Sequence, residues 1–178
     1  MQTMIRVFAL AALLAALAAC NKDDGPEVVT PDYPPPVWRT DITFVDATNV
    51  PQVQIDRFVA ANGMDTVMTS SGLVYQIDEP GGAEKPALTS EIIVNYRGYL
   101  VNGTVFDQSP DGFPLGSRRT ITLDGLIEAW KEGIPKLGRG GKMWMLARPS
   151  LAYGDRPPRN PITAQTVLVF EIELVDFK

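Results

Sequence analysis

The apolar positions of this chain follow three rhythms, each confined to its own stretch. From Val7 to Leu17 they run almost without a break, with Arg6 on one side and Ala18-Ala19-Cys20 on the other. That run is too short to span a bilayer, and its charged start and small-residue end are those of an export signal, so residues 1–19 are expected to be removed. From Val50 to Gly63 the rhythm is helical: Ile55, Phe58 and Val59 share a face, with Asn49 available as a cap and Asn62-Gly63 as a stop. This predicts a helix of roughly three turns, and either docking on the following domain or pairing with a second copy would use its apolar face.

From Leu73 onward the period is two. Leu73-Val-Tyr-Gln-Ile77 alternates into the turn Pro80-Gly-Gly82. In Glu91–Leu100, Ile92, Val94, Tyr96 and Gly98 fall on one face and Ile93, Asn95 and Arg97 on the other. Asn102-Gly103 is a hairpin turn, so Thr104-Val-Phe-Asp107 should return alongside. Thr120–Leu123 and Lys142–Ala147 read as further strands. Val167–Val175 closes the set, with Leu168, Phe170, Ile172 and Leu174 inward and the glutamates outward.

One segment breaks the alternation. Leu126, Ile127, Trp130, Ile134 and Leu137 recur at near-helical spacing behind Asp124, which is suited to cap a helix, and Pro135 and Gly138 limit that helix to two or three turns. The layout is α+β: an antiparallel sheet of five to six strands wrapped around one short helix, preceded by an N-terminal helical extension.

Composition sharpens this division. The 15 prolines are unevenly placed, with Pro26, Pro31 and Pro34-Pro35-Pro36 between Asp24 and Val37, a stretch that should be extended and unable to form a core. The chain therefore divides into a signal peptide (1–19), a Pro-rich flexible tether (20–49), a helical extension (50–69) and a folded domain (70–178). Trp38–Val45 is open to two readings, a short strand or an irregular extension.

The net charge of −5 argues against nucleic acid as a partner. There is no histidine, and the single cysteine is Cys20. Ser-His-Asp and Cys-His nucleophile systems, Cys/His zinc sites and intrachain disulfides are thereby excluded. Activity has to come from aromatic, aliphatic, carboxylate and backbone groups, with no cofactor and no metal implied.

Leu17-Ala-Ala-Cys20 resembles the bacterial lipobox, whose cysteine becomes the lipid-modified first residue, and Asn21-Lys-Asp-Asp24 resembles the signals that send some lipoproteins of Bacteroidota to the cell surface. The resemblance implies an envelope protein held to a membrane at Cys20.

Within the folded domain, Val94-Asn-Tyr-Arg-Gly98, Asn102-Gly-Thr-Val-Phe-Asp107, Leu126-Ile-Glu-Ala-Trp130 with Glu132-Gly133, Leu151-Ala-Tyr-Gly154 and Leu168–Leu174 together resemble the FKBP-type (macrolide-binding) peptidyl-prolyl cis-trans isomerases. The order and spacing of the set, over about residues 70–178, carry the resemblance. It implies an isomerase acting on X-Pro bonds of exported or envelope polypeptides, and binding of macrolide inhibitors.

By position, it places Trp130 as the floor for the proline ring and Tyr96, Phe106 and Phe170 as walls. Leu126 and Ile127 become the rim, with the Ile127 N–H donating to a substrate carbonyl. Tyr153 becomes a hydroxyl donor, Asp107 the polar edge, and Ile162 a further substrate contact.

Inward aromatics would serve any sheet core equally well. A carboxylate beside them, and a tyrosine in a loop, have less packing reason to exist. Ala129 stands where the family has glycine, Arg119 or Ile121 where it has an aromatic, and Arg118-Arg119 would favour acidic flanks in a substrate. Two other functions fit the same residues: a non-catalytic binding module or holdase that adds the Val50–Gly63 helix to the cleft, and a surface lipoprotein with a vestigial domain.

Overall fold

The computed structural model describes residues 37–109 and 121–178. The signal segment, Cys20, the proline run and Arg118-Arg119 lie outside these residues.

Among the described residues seven strands form one antiparallel sheet: β1 (Val67–Met68), β2 (Val74–Glu79), β3 (Glu91–Leu100), β4 (Val105–Gln108), β5 (Ile121–Thr122), β6 (Gly141–Ala147) and β7 (Leu168–Phe177). Their order across the sheet is β1-β2-β6-β7-β3-β4, with β5 also paired to β3. The excess over five or six consists of two-residue strands, too short to leave an alternating pattern. The central pairing of β3 with β7 sets Val94 opposite Leu174, Tyr96 opposite Ile172 and Gly98 opposite Phe170. On the other side of β7, Met145 of β6 is the partner of Phe170.

The inner face carries the first core. Ile92, Val94, Met143, Met145, Leu168, Phe170, Ile172 and Leu174 are buried there against Ala129, Trp130, Ile134 and Leu137. Helix α2 spans only Glu128–Gly133 and passes into a 3-10 turn, Ile134–Lys136, where Pro135 cannot continue the ladder.

Asp124 is not its cap. It sits in a separate 3-10 turn, Leu123–Gly125, whose Leu123 and Asp124 N–H groups donate to the Ser90 and Leu88 carbonyls. With those donors satisfied from another segment, the chain opens at Leu126 to an extended conformation, and Ile127 becomes an N-cap without a side-chain bond. Leu126 and Ile127 therefore stand outside the helix.

The outer face carries a second core. Val74, Tyr99, Val101, Trp144, Leu146, Val167 and Val169 are buried against Ile55 and Phe58 of α1 (Pro51–Ala61). The apolar stripe of α1 thus lies on its own sheet rather than on a free surface. Asn49, expected as the cap, is displaced by Val50, because Pro51 starts the helix and Thr48 Oγ1 accepts from the Val50 N–H at 3.3 Å. Asn62 and Gly63 end the helix as expected; Gly63 has φ +56°, and the Asn62 side chain bonds both the Phe58 and Thr43 carbonyls.

Residues 37–49 have no regular secondary structure, yet they are fastened along the outer face. The Val45 N–H donates to the Val101 carbonyl (2.8 Å), and the Phe44 ring lies 5.6 Å from that of Tyr99. The Arg39 N–H donates to Glu171 Oε1 (2.9 Å), and the Arg97 guanidinium stacks on Trp38 at 4.7 Å.

This strap corrects one expectation: Glu171, assigned to solvent by alternation, is buried, and burial raises its carboxyl above the ordinary range despite the Arg39 N–H and Tyr99 hydroxyl that favour its charge. A carboxyl raised in the folded state costs stability above its folded pKa, and the cost disappears as pH falls below the unfolded value. Glu171→Gln should therefore raise the melting temperature by on the order of 3 °C at pH 7. The gain should shrink to nothing as calorimetric scans move to acid.

Candidate active site

Four rings meet within the inner core. Trp130, carried by α2 and only 5% exposed, lies edge-on to Tyr96 (centroids 5.1 Å, 84°) and to Phe170 (5.6 Å, 87°). Phe106 from β4 meets Phe170 at 5.7 Å and 87°. Perpendicular contacts place the positive ring edge on the negative face of the next, which makes each orientation specific.

Sheet register explains the gathering: Gly98 is partner both to Phe170 on β7 and to Asp107 on β4, so Phe106 and Phe170 approach across a residue with no side chain. A Cβ at residue 98 would stand 2.5 Å from the Phe106 ring, which identifies Gly98 as the residue that admits that wall. Helix and sheet approach just as closely at Gly133, where a Cβ would meet the Met145 sulfur at 2.1 Å.

The polar edge is built from the same hairpin. Asp107 is exposed, accepts from the Tyr96 hydroxyl at Oδ2 (2.7 Å), and accepts from the Gln108 N–H at Oδ1 (3.0 Å). Burial raises the Tyr96 phenol far above its ordinary value, and the Asp107 carboxylate adds to the shift, so Tyr96 remains a neutral donor at any physiological pH. Tyr153 follows the 3-10 turn Pro149–Leu151 and is 38% exposed; its phenol is raised by burial and by the charge of Asp107, which puts it at the same edge.

Leu126, Ile127 and Phe106 pack half-buried against the inner core, and Ile162 is buried within it. The Ile127 N–H makes no hydrogen bond to a described residue. Ala129 is fully buried in the same core.

Tyr96, Phe106, Trp130 and Phe170 are thus brought together ring to ring with Asp107 and Tyr153 beside them, Leu126, Ile127 and Ile162 belong to the same inner core, and Cys20 lies outside the described residues. Sequence reasoning passed over Ser109, whose hydroxyl and N–H both bond the backbone of Tyr96, and the role of Gly98. A lone glycine inside an otherwise regular strand was the available signal for the second. Among the described residues no group of three or more Asp, Glu or Cys side chains is placed to hold a metal.

Comparison with known proteins bears on the whole arrangement. The family model described as FKBP-type peptidyl-prolyl cis-trans isomerase matches residues 82–175. The FKBP-type peptidyl-prolyl cis-trans isomerase FkpA of Escherichia coli K12 is 37% identical over 123 residues, 69% of this chain and 43% of that protein. The peptidyl-prolyl cis-trans isomerase Mip of Coxiella burnetii is 33% identical over 125 residues, 68% of this chain and 52% of that one. The chain thus spans about half the length of these relatives.

Among solved structures, FkpA from Escherichia coli superposes with a TM-score of 0.61 at 34% identity, covering 72% of this chain and 57% of that one. A peptidyl-prolyl cis-trans isomerase from Pseudomonas syringae gives 0.62 at 27% identity, covering 75% and 98%. The matched span holds β3, β4, β6, α2 and nearly all of β7, and with them every ring of the aromatic site, so the chain belongs to the FKBP-type peptidyl-prolyl cis-trans isomerase family.

Proposed function

We propose that the aromatic site catalyses cis-trans isomerisation of X-Pro bonds in exported or envelope polypeptides. The observation that carries this reading is the perpendicular set of Trp130, Tyr96, Phe170 and Phe106 with one carboxylate on the Tyr96 hydroxyl. Resonance opposes rotation about the C–N bond by about 18–20 kcal/mol. The twisted amide has lost that resonance, and its carbonyl oxygen carries less charge than in the planar form. A pocket that strips water from the amide therefore disfavours the planar ground state relative to the twisted one.

In this reading the proline ring rests on Trp130 between Phe106 and Phe170, and Ile162 and Leu126 complete the apolar contact. The N–H of Ile127, which makes no hydrogen bond to a described residue, donates to a flanking carbonyl. Tyr153 donates from the polar edge, and Asp107 fixes the Tyr96 phenol. Each 1.36 kcal/mol of preference for the twisted form is worth about tenfold in rate. No proton transfer is needed, which suits a chain without histidine.

A protease-free isomerisation assay on X-Pro peptides with X apolar, with and without a macrolide, tests the reading in the chain after Cys20. Asp107→Ala and Tyr153→Phe should each lower kcat/KM by about fivefold, the worth of one hydrogen bond, while leaving cooperative unfolding intact. Suppressed aggregation of an unfolded protein without measurable isomerisation would instead identify a holdase.

The lipid anchor at Cys20 and the envelope location belong to the same proposal, supported by Leu17-Ala-Ala-Cys20 at the end of the apolar run. Incorporation of labelled fatty acid in bacteria, lost in Cys20→Ala together with membrane association, is the expected result. Loss of membrane association without any label on the wild type would overturn it.

A further inference from the structure

Ser109 follows the last residue of β4 and is buried, one of few polar side chains so placed among the described residues. Register pairs Gln108 with Arg97, so the next pair along the ladder is Ser109 with Tyr96. That pair is closed in an unusual way. The Ser109 N–H donates to the Tyr96 carbonyl at 2.9 Å, as a ladder would have it, but the Tyr96 N–H donates to Ser109 Oγ at 3.1 Å. The same hydroxyl lies 3.3 Å from the Tyr96 carbonyl and donates back to it. A side-chain oxygen thus takes the acceptor position that a strand carbonyl normally fills, and both backbone groups of Tyr96 on this side end on Ser109.

We propose that Ser109 is a positioning residue of the aromatic site, gripping the Tyr96 backbone so that the Tyr96 phenol stays on Asp107 and its ring stays edge-on to Trp130. The inference rests on the isomerase reading given above.

The geometry makes the grip consequential. Asp107 is the direct partner of Gly98, so the Tyr96 phenol reaches it diagonally, two residues along the same face, at 2.7 Å. A small slide of β4 along β3 would lengthen that bond and tilt the ring that meets Trp130 at 84°. The bond between Arg97 Nε and Gln108 Oε1 (3.1 Å), and that from the Leu100 N–H to the Thr104 carbonyl (2.9 Å), oppose a slide further along the hairpin. Past Gln108, the opposing bonds among the described residues are those of Ser109.

Ser109→Ala removes the hydroxyl and keeps the backbone bond; Ser109→Thr restores the hydroxyl. The test reads two quantities: kcat/KM on an X-Pro peptide, and the 13Cζ shift of Tyr96, which reports the hydrogen bond of the phenol and is assigned with Tyr96→Phe. The Ala variant should move the carbon shift toward that of a solvent-exposed tyrosine and lower kcat/KM by about fivefold, mainly in kcat. The Thr variant should return both to the wild-type values.

A folded Ala variant with either quantity unchanged overturns the proposal, even where its melting temperature has fallen, since that is the mark of a purely structural role. If the Ala variant does not fold, Ser109→Cys, of similar shape with a weaker acceptor, is judged by the same two readouts. If the wild type shows no isomerisation at all, the isomerase reading fails. The carbon shift alone then decides whether Ser109 holds Tyr96.

Discussion

A chain that begins at Ser70 is expected to unfold at much lower denaturant than one that begins at Val37, and to associate at concentrations where the longer chain is monomeric. Cutting there removes Ile55 and Phe58, which are 1% and 0% exposed, together with Met64 and β1. Burying side chains of this kind is worth about 1.5–3 kcal/mol each. Three of them approach the whole stability of an ordinary domain, about 5–15 kcal/mol. The cut also bares Tyr99, Val101, Trp144, Leu146 and Val169 together, a contiguous apolar face on a sheet. Urea unfolding with light scattering on the two chains measures both effects. Equal midpoints would show that the outer core adds nothing to the stability of the sheet.

Replacing Gly98 by alanine should lower isomerisation by about 10- to 100-fold without unfolding the domain. The added methyl would lie 2.5 Å from the tip of the Phe106 ring and 2.8 Å from its flank, while no backbone atom is among its nearest neighbours. A half-buried ring at the mouth of the site can swing outward, so the fold absorbs the change and the wall of the pocket does not. Phe106→Ala removes the same wall by another route and should fall in the same range. The two changes act on one contact, so the double variant should be little worse than either single one. Independent, multiplying losses in that cycle would show that Gly98 acts on the rate through something other than Phe106.

Period-two alternation made the strands readable because one face of each is filled from a single direction. Ile92, Val94 and Tyr96, and the four inward residues of β7, lie where alternation sets them. The aromatic site was readable for a different reason: its residues sit in short segments whose order along the chain is specific, although no one segment is.

What escaped reading depends on distant backbone. Nothing near Asp124 announces that the Leu123 and Asp124 N–H groups will be satisfied from Ser90 and Leu88, and that contact is what delays the helix to Glu128. Glu171 looked solvated because the strap that covers it lies more than 130 residues away. One clue to that cover was present in β6, where Met143 and Met145 alternate with Trp144 and Leu146. A strand apolar on both sides has something packed on both.

The strap also decides from which side the domain can be held. Val37 lies beside Trp144 and Glu171 on the outer face of the sheet, whereas Trp130, Phe106 and Phe170 pack on the inner one. A grip placed at Val37 itself, by a sensor chip or a bead in an optical trap, holds the domain at its outer face, on the other side of the sheet from the rings. A pull applied there first loads the Arg39 and Val45 bonds across the outer face, in shear against β7 and the end of β3, before any force reaches the aromatic rings.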